Sequence, residues 1–216
     1  MFTVWGCWKP FNRVSKIKTK NMKKLFTFLC VVALTTTVSF AQTQFGAIAG
    51  LNMANISGDD MGSDTEMRLG IRLGVSGVIP LSDAMTLNTG VIYSVKGYSI
   101  EIDLGLGKLK MDQSLNYIEI PAMFGFSVSD QISLMAGTYT GFLVGSTVTV
   151  DGESESGTDG LSTIDFGIGL GAKFSISDAI AIDAGYQMGL ISLDEDGDTD
   201  LKNSNILIGM TYSFGG

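Results

Sequence analysis

The chain has 216 residues, with 14 basic and 22 acidic side chains, two cysteines and no histidine. Seven of the basic residues, both cysteines and no acid fall within residues 1–41, so residues 42–216 hold seven basic against 22 acidic side chains, a net of −15. Such a surface repels nucleic acid. The thiol-free remainder excludes disulfides, zinc–thiolate sites and a cysteine nucleophile.

Met22-Lys23-Lys24 opens a short basic segment, Leu25 to Val38 is apolar, and Ser39-Phe40-Ala41 has the small-x-small pattern of an export cleavage site. The apolar run is shorter than the ~20 residues of a spanning helix. Cys30 lies inside that run without small residues before it, which favours plain export over lipidation. The expected organisation is an upstream extension over 1–21, a signal peptide over 22–41 and one β-barrel domain over 42–216.

From Gln42 onward the pattern has period two, the mark of strands with unlike faces. The first strand sets Phe45, Ala47, Ala49 and Leu51 against Gly46, Ile48, Gly50 and Asn52. The second alternates Met67, Leu69, Ile71, Leu73 and Val75 with Arg68, Gly70, Arg72 and Gly74. The third alternates Leu87, Val91, Tyr93 and Val95 with Asn88, Gly90, Ser94 and Lys96. In the fourth, Ile118, Ile120, Phe124 and Phe126 oppose Tyr117, Glu119, Pro121 and Gly125. The fifth, Ile132 to about Val150, alternates least cleanly.

The sixth interleaves Ile164, Phe166, Ile168 and Leu170 with Asp165, Gly167, Gly169 and Gly171. The seventh pairs Ile180, Ile182, Tyr186 and Met188 with Asp183, Gly185, Gln187 and Gly189. The eighth runs Ile206, Ile208, Met210, Tyr212, Phe214 against Asn205, Gly209, Thr211 and Ser213. Ser82-Asp83, Ser129-Asp130 and Ser177-Asp178 mark three tight turns, because both side chains bond nearby backbone amides. The intervening connections, 54–66, 99–108, 151–161 and 194–203, are long and polar.

Short turns at one end and long loops at the other predict an all-β, eight-stranded antiparallel up-and-down transmembrane β-barrel in an outer membrane. A soluble, lipocalin-like barrel is the alternative. Against it stand a glycine-rich, sparsely charged polar face and an apolar face nearly free of charge over close to the ~9–11 residues of a spanning strand. The end of the chain, with Gly209, Tyr212 and Phe214, resembles the terminal-strand signal read by the outer-membrane assembly machinery, although Gly215-Gly216 departs from the usual aromatic terminus.

Phe45-Gly46-Ala47-Ile48-Ala49-Gly50-Leu51-Asn52, Ile56-Ser57-Gly58-Asp59-Asp60 and Asn116-Tyr117-Ile118-Glu119-Ile120-Pro121 carry a further likeness. On these segments the chain resembles the PorT-like family of outer-membrane β-barrel proteins. The resemblance implies a barrel, export and non-enzymatic behaviour. Some relatives are linked to secretion, but no secretion-specific residue is matched here.

Known barrel enzymes lean on histidine as base or partner, and this chain has none. Glu119 and Asp165 remain as a carboxylate-only pair, more readily read as salt-bridge partners. The expected lumen charges are Arg68, Arg72, Lys96, Glu119, Asp165, Lys173 and Asp183, with Lys173 and Asp183 opposite each other on neighbouring strands. Buried charges require partners, and eight strands enclose a space that side chains can fill, so a mixed-sign network is expected rather than an open pore.

Asp194, Asp196, Asp198 and Asp200 alternate around a glycine and form a candidate calcium loop, without the twelve-residue spacing or terminal glutamate of the familiar motif. No cofactor is expected. The expected partners are outer-membrane lipid, the assembly machinery and an extracellular ligand taken through the loops, serving surface interaction or envelope integrity. An accessory role in secretion or envelope assembly and a narrow channel are the alternatives.

Overall fold

The computed structural model describes residues 43–58, 65–103, 108–195 and 199–214; the expected leader lies outside them. The described residues form nine strands: β1 (Gln44–Ser57), β2 (Thr65–Ser82), β3 (Met85–Asp103), β4 (Lys108–Ser127), β5 (Ile132–Val150), β6 (Glu153–Ser156), β7 (Ile164–Ser175), β8 (Ile180–Gly189) and β9 (Lys202–Ser213). Eight of them close an antiparallel ring, β1-β2-β3-β4-β5-β7-β8-β9, sealed by β9 pairing with β1 from Gly46↔Ser213 to Ser57↔Lys202. Closure pairs the ladder all the way round, as a hydrocarbon solvent demands.

The period-two pattern decides which face goes where. Leu69 and Leu170 are 67% and 64% exposed on the outside, whereas Lys96 and Glu119 are at 0% inside. Apolar side chains therefore face outward and charged ones inward, the reverse of a soluble barrel. Partners in an antiparallel ladder share a face, so the in-register run Ala47↔Val75, Ala49↔Leu73, Leu51↔Ile71 and Met53↔Leu69 builds one continuous apolar outer surface.

The three turns differ in make-up. Ser129 Oγ accepts from the amide of Ile132 at 3.1 Å, and Ser177 Oγ from that of Ile180 at 3.2 Å. Each closes a loop that the main chain also clasps, through Val128 N to Ile132 O and Ile176 N to Ile180 O. The first turn is shorter: Ser82 pairs directly with Met85, leaving only Asp83 and Ala84 between strands.

The loop side departs from the sequence reading. β3 continues to Asp103 and β4 begins at Lys108, so the expected 99–108 loop is mostly strand. The expected 151–161 loop contains β6, folded back on β5 through Asp151 (φ 50) and Gly152 (φ 90). This Asp-Gly turn has the positive φ pair that matches strand twist. β3, β4 and β5 have 19, 20 and 19 residues against 10 in β8. A tilted strand needs ~9–11 residues to cross a bilayer. The wall of β3, β4 and β5 thus rises about eight residues beyond the belt, roughly 25 Å of strand.

Among the described residues three register shifts break the ladders, one of them at Pro80–Ser82 beside the first tight turn. Another lies between Met67 and Arg72 against β3, and the third opposite Asn116 and Tyr117, where Val144 is the extra residue of β5. An inserted residue reverses which way the following side chains point. Val144 therefore faces out at 57% exposure, while Ser146, two residues on, is buried. This is the physical reason that β5 alternates poorly.

Candidate functional site

Two arrangements fill the inside of the ring, an ion network across the middle and an apolar cluster above it at the loop end. Five expected lumen charges come together, one each from β2, β3, β4, β7 and β8. Lys96 Nζ lies 3.0 Å from Glu119 Oε2 and 3.1 Å from Asp165 Oδ2. Arg72 reaches Asp183 at 3.4 Å and Glu119 at 4.0 Å. All five side chains are at most 8% exposed.

The strand register sets these contacts. Glu119 pairs across with Ile92, two residues of the same face from Ser94 and four from Lys96, so the lysine stem spans the diagonal. Tyr139 approaches from β5, its ring centroid 4.0 Å from Lys96 Nζ and its hydroxyl donating to Asp165 Oδ1 at 3.2 Å. A desolvated cation over an aromatic face is worth about 2 kcal/mol. Gly167 makes room for that ring: a Cβ there would sit 2.6 Å from Tyr139 Cε1.

Neutral amides complete the network. Gln187 donates to Glu119 Oε1 at 2.9 Å, Asn203 to Asp165 Oδ2 at 2.9 Å, and Asn205 to Asn52 Oδ1 at 3.2 Å. Asn52 in turn donates to Ser94 Oγ at 2.9 Å. The sequence reading placed Asn203 at a loop end and did not single out Tyr139. The available signal was phase: Asn203, Asn205 and Gln187 lie in step with the inward residues of β8 and β9.

Two expected members lie elsewhere. Arg68 is half-buried, opposite Ala54 on β1, and donates to the Leu69 carbonyl at 3.4 Å, toward the loop end and apart from the network. Lys173 does pair with Asp183 in register, but its amine donates to Asn88 Oδ1 at 2.8 Å. Asp183 is taken by Arg72 from above and by the Thr211 hydroxyl at 3.4 Å. Counted together, Arg72, Lys96 and Lys173 balance Glu119, Asp165 and Asp183. On the turn side of the network lie cavities of about 80 and 160 Å³, sharing Asn88, Met135, Lys173 and Thr211 in their walls.

Above the network, Ile56, Tyr98, Leu115, Tyr117 and Leu193 form a buried apolar cluster. Tyr117 links the two layers, since its hydroxyl accepts from Asn203 at 3.3 Å. The connections β6–β7 and β8–β9 are stitched over this cluster by main-chain bonds. Ser162 N meets Leu193 O at 2.8 Å, Leu193 N meets Leu201 O at 2.7 Å, and Leu161 bridges Asp194.

In the candidate calcium loop, Asp196 and Asp198 lie outside the described residues. Asp194 Oδ2 accepts from the Thr199 amide and hydroxyl, both at 2.9 Å, and Asp200 holds Lys202 at 2.7 Å. Among the described residues no group of three or more metal-type ligands gathers. At the chain end, Gly209 sits opposite Gly50 on β1, and the outward rings of Tyr212 and Phe214 meet edge to face at 5.9 Å.

A closed antiparallel ring with an apolar outside and a charge-paired inside defines a small transmembrane β-barrel. Residues 40–195 match the family described as outer membrane protein beta-barrel domain, and the chain belongs to that family. The protein resides in the outer membrane. No curated protein sequence matches it.

Among solved structures it is similar to Neisserial surface protein A, at 18% identity and a TM-score of 0.55, covering 79% of this chain and 97% of that one. It is also similar to Ail, the attachment invasion locus protein of Yersinia pestis, at 20% identity and a TM-score of 0.45, covering 79% and 98%. These likenesses concern the fold alone.

Proposed function

We propose that the protein is a non-enzymatic surface barrel that meets an extracellular partner through its loop-side face. The observation that carries this reading is the division of charge along the barrel axis. Of the 22 acidic residues, Glu119, Asp165 and Asp183 lie in the lumen and Asp83, Asp130 and Asp178 in the tight turns. The other 16 fall, by chain position, in the loop-side connections and strand ends, with Arg68, Lys108, Lys110 and Lys202. Of the net −15, −12 is thus concentrated on the face that short turns leave to the cell exterior.

The lumen supports the same reading from the other side. Lys96, Glu119 and Asp165 block the ring with groups already bound to one another. This favours a filled barrel over a channel. It also leaves neither carboxylate available as a hydrolytic acid or base.

A second reading, accessory to secretion or envelope assembly, rests on the PorT-like resemblance of 45–52, 56–60 and 116–121. The terminal strand, with Tyr212 and Phe214 outward, suits recognition by the assembly machinery.

The test replaces the connections β5–β7 and β8–β9 by tight turns and labels intact cells with a membrane-impermeant cross-linker. Surface cross-links should vanish while the heat-modifiable gel shift of the folded barrel persists. Unchanged cross-links, or discrete conductance steps from the intact barrel in planar bilayers, would refute the reading.

A further inference from the structure

Between the raised wall and the stitched loops lies a cavity of about 190 Å³ at the loop-side mouth. Its lining is dominated by Tyr98, Leu115, Leu161, Leu193 and Leu201, with Gln113 and Thr199 among the few polar groups. Most of their hydrogen-bonding atoms are already engaged. Gln113 Oε1 accepts from the Tyr98 hydroxyl at 2.6 Å, and the Thr199 amide and hydroxyl both donate to Asp194. A bound water needs two to four polar partners, so water is poorly held here and an apolar group is favoured.

The cavity is also preformed. Leu161 and Leu193 are fixed by main-chain bonds between two different connections, and Glu195 N donates to Gly160 O at 3.2 Å. These lining residues are held in place before a ligand enters, which lowers the cost of binding.

The surroundings of the mouth select the sign of the ligand. Asp159 and Glu195, both exposed, flank the lining residues Gly160 and Asp194. The nearby cation Lys202 is held by Asp200. The acidic excess of the loop side is focused above a low-dielectric barrel, where field lines crowd toward a concave opening.

We infer that this cup binds a cationic amphiphile, an ammonium or guanidinium group on an apolar body of about six heavy atoms. That size follows from ~30 Å³ per water-sized group. The inference rests on the surface-interaction reading and names its ligand class: the apolar body enters among the leucines and the cation stays at the rim beside Asp159 and Glu195. A free aliphatic amine and the basic-apolar end of a peptide share this chemistry.

The test uses the full barrel in phosphatidylcholine nanodiscs, with empty discs as blank and leucine methyl resonances as readout. The probes are n-hexylammonium, n-hexanol and hexanoate. The expected order is ammonium, then alcohol, then carboxylate. Hexylammonium should bind about 5- to 20-fold more tightly than hexanol at low salt, and the gap should narrow at high salt. Shifts should fall on Leu115, Leu161, Leu193 and Leu201. Asp159→Asn with Glu195→Gln should reduce the ammonium preference severalfold and leave hexanol binding unchanged.

Equal affinity for ammonium and alcohol overturns the inference, as do shifts confined to the outward belt leucines. A decapeptide ending in lysine-leucine, run beside hexylammonium, separates the two sources: tighter binding of the decapeptide with shifts on the same leucines assigns a peptide end, and binding of hexylammonium alone assigns a free amine. If the cup fails these probes while trimming the loops still abolishes surface cross-links, the cup inference falls and the surface reading stands. If the cup binds but trimming changes nothing at the surface, the surface reading falls.

Discussion

Lys96→Met isolates the contribution of the ion network. Methionine keeps the length of the stem and removes the charge, leaving Glu119 and Asp165 without the ammonium that now lies 3.0 and 3.1 Å from them. Those distances put the two carboxylate oxygens no more than about 6 Å apart, where an effective dielectric of ~20 gives a repulsion of about 3 kcal/mol. Breaking a buried pair by removing one partner costs about 3–5 kcal/mol in general, and the cation over Tyr139 adds up to about 2 kcal/mol. These contributions overlap, so the expected loss is about 4–6 kcal/mol.

The decisive comparison is Lys96→Met with Glu119→Gln and Asp165→Asn in the same chain. With all three charges gone the repulsion between the carboxylates disappears and Arg72 keeps Asp183, while one lumen cation is left in excess, so the triple variant should be more stable than the single one by at least about 2 kcal/mol. Urea titration in lipid vesicles, read by the heat-modifiable gel shift, measures both variants. A single variant that fails to fold beside a folded triple variant agrees with the reasoning. A single variant losing less than ~1 kcal/mol, or a triple variant no more stable than the single, refutes it.

Gly167→Val should cost about 1–3 kcal/mol through overpacking, since its Cβ would meet the Tyr139 ring and the Met188 carbonyl; adding Tyr139→Leu should recover part of the loss in the same urea assay. Ser129→Ala and Ser177→Ala each delete one hydroxyl acceptor of a turn amide. Each should lower stability by about 0.5–1.5 kcal/mol without changing outer-membrane fractionation. Tyr212→Ala with Phe214→Ala should slow assembly in cells, measured as a pulse-chase lag in the gel shift, while purified protein refolds in vesicles at close to the parental rate. A parental rate of assembly in cells would argue against a terminal-strand signal.

The strands of the belt were legible because lipid and lumen are unlike solvents, and each strand writes that contrast at every second residue. Ile164 to Gly171 shows it most clearly, with Asp165 and three glycines inward and isoleucine, phenylalanine and leucine outward. The Ser-Asp pairs were legible for the same local reason, since Ser129 and Ser177 bond amides three residues on. Tyr139 was not. Its neighbours on the outer face are Ala136, Thr138 and Thr140, so the contrast disappears where the network needs an aromatic. Arg68 kept its inward phase, opposite buried Ala54 on β1, but alternation fixes only the face and not the height, and four residues toward the loop end from Arg72 its guanidinium meets the Leu69 carbonyl instead of a network carboxylate.

The loop side was hidden by a change of solvent along the same strands. Within the belt the outside is hydrocarbon, so charged groups go in and apolar groups go out. Above the belt both the outer face and the mouth meet water, and the rule reverts to that of a soluble protein: Ile56, Leu115 and Leu193 turn inward, while Thr147 and Thr149, paired with Ser156 and Ser154, stand on the sheet outside. Reading apolar as outward everywhere therefore ends strands where the environment changes, at Ser99 and Tyr117, instead of where the ladders end, at Asp103 and Lys108. The same reversal creates the apolar mouth, because only where the barrel leaves the lipid can its interior be built from leucine and tyrosine without a charge to hold.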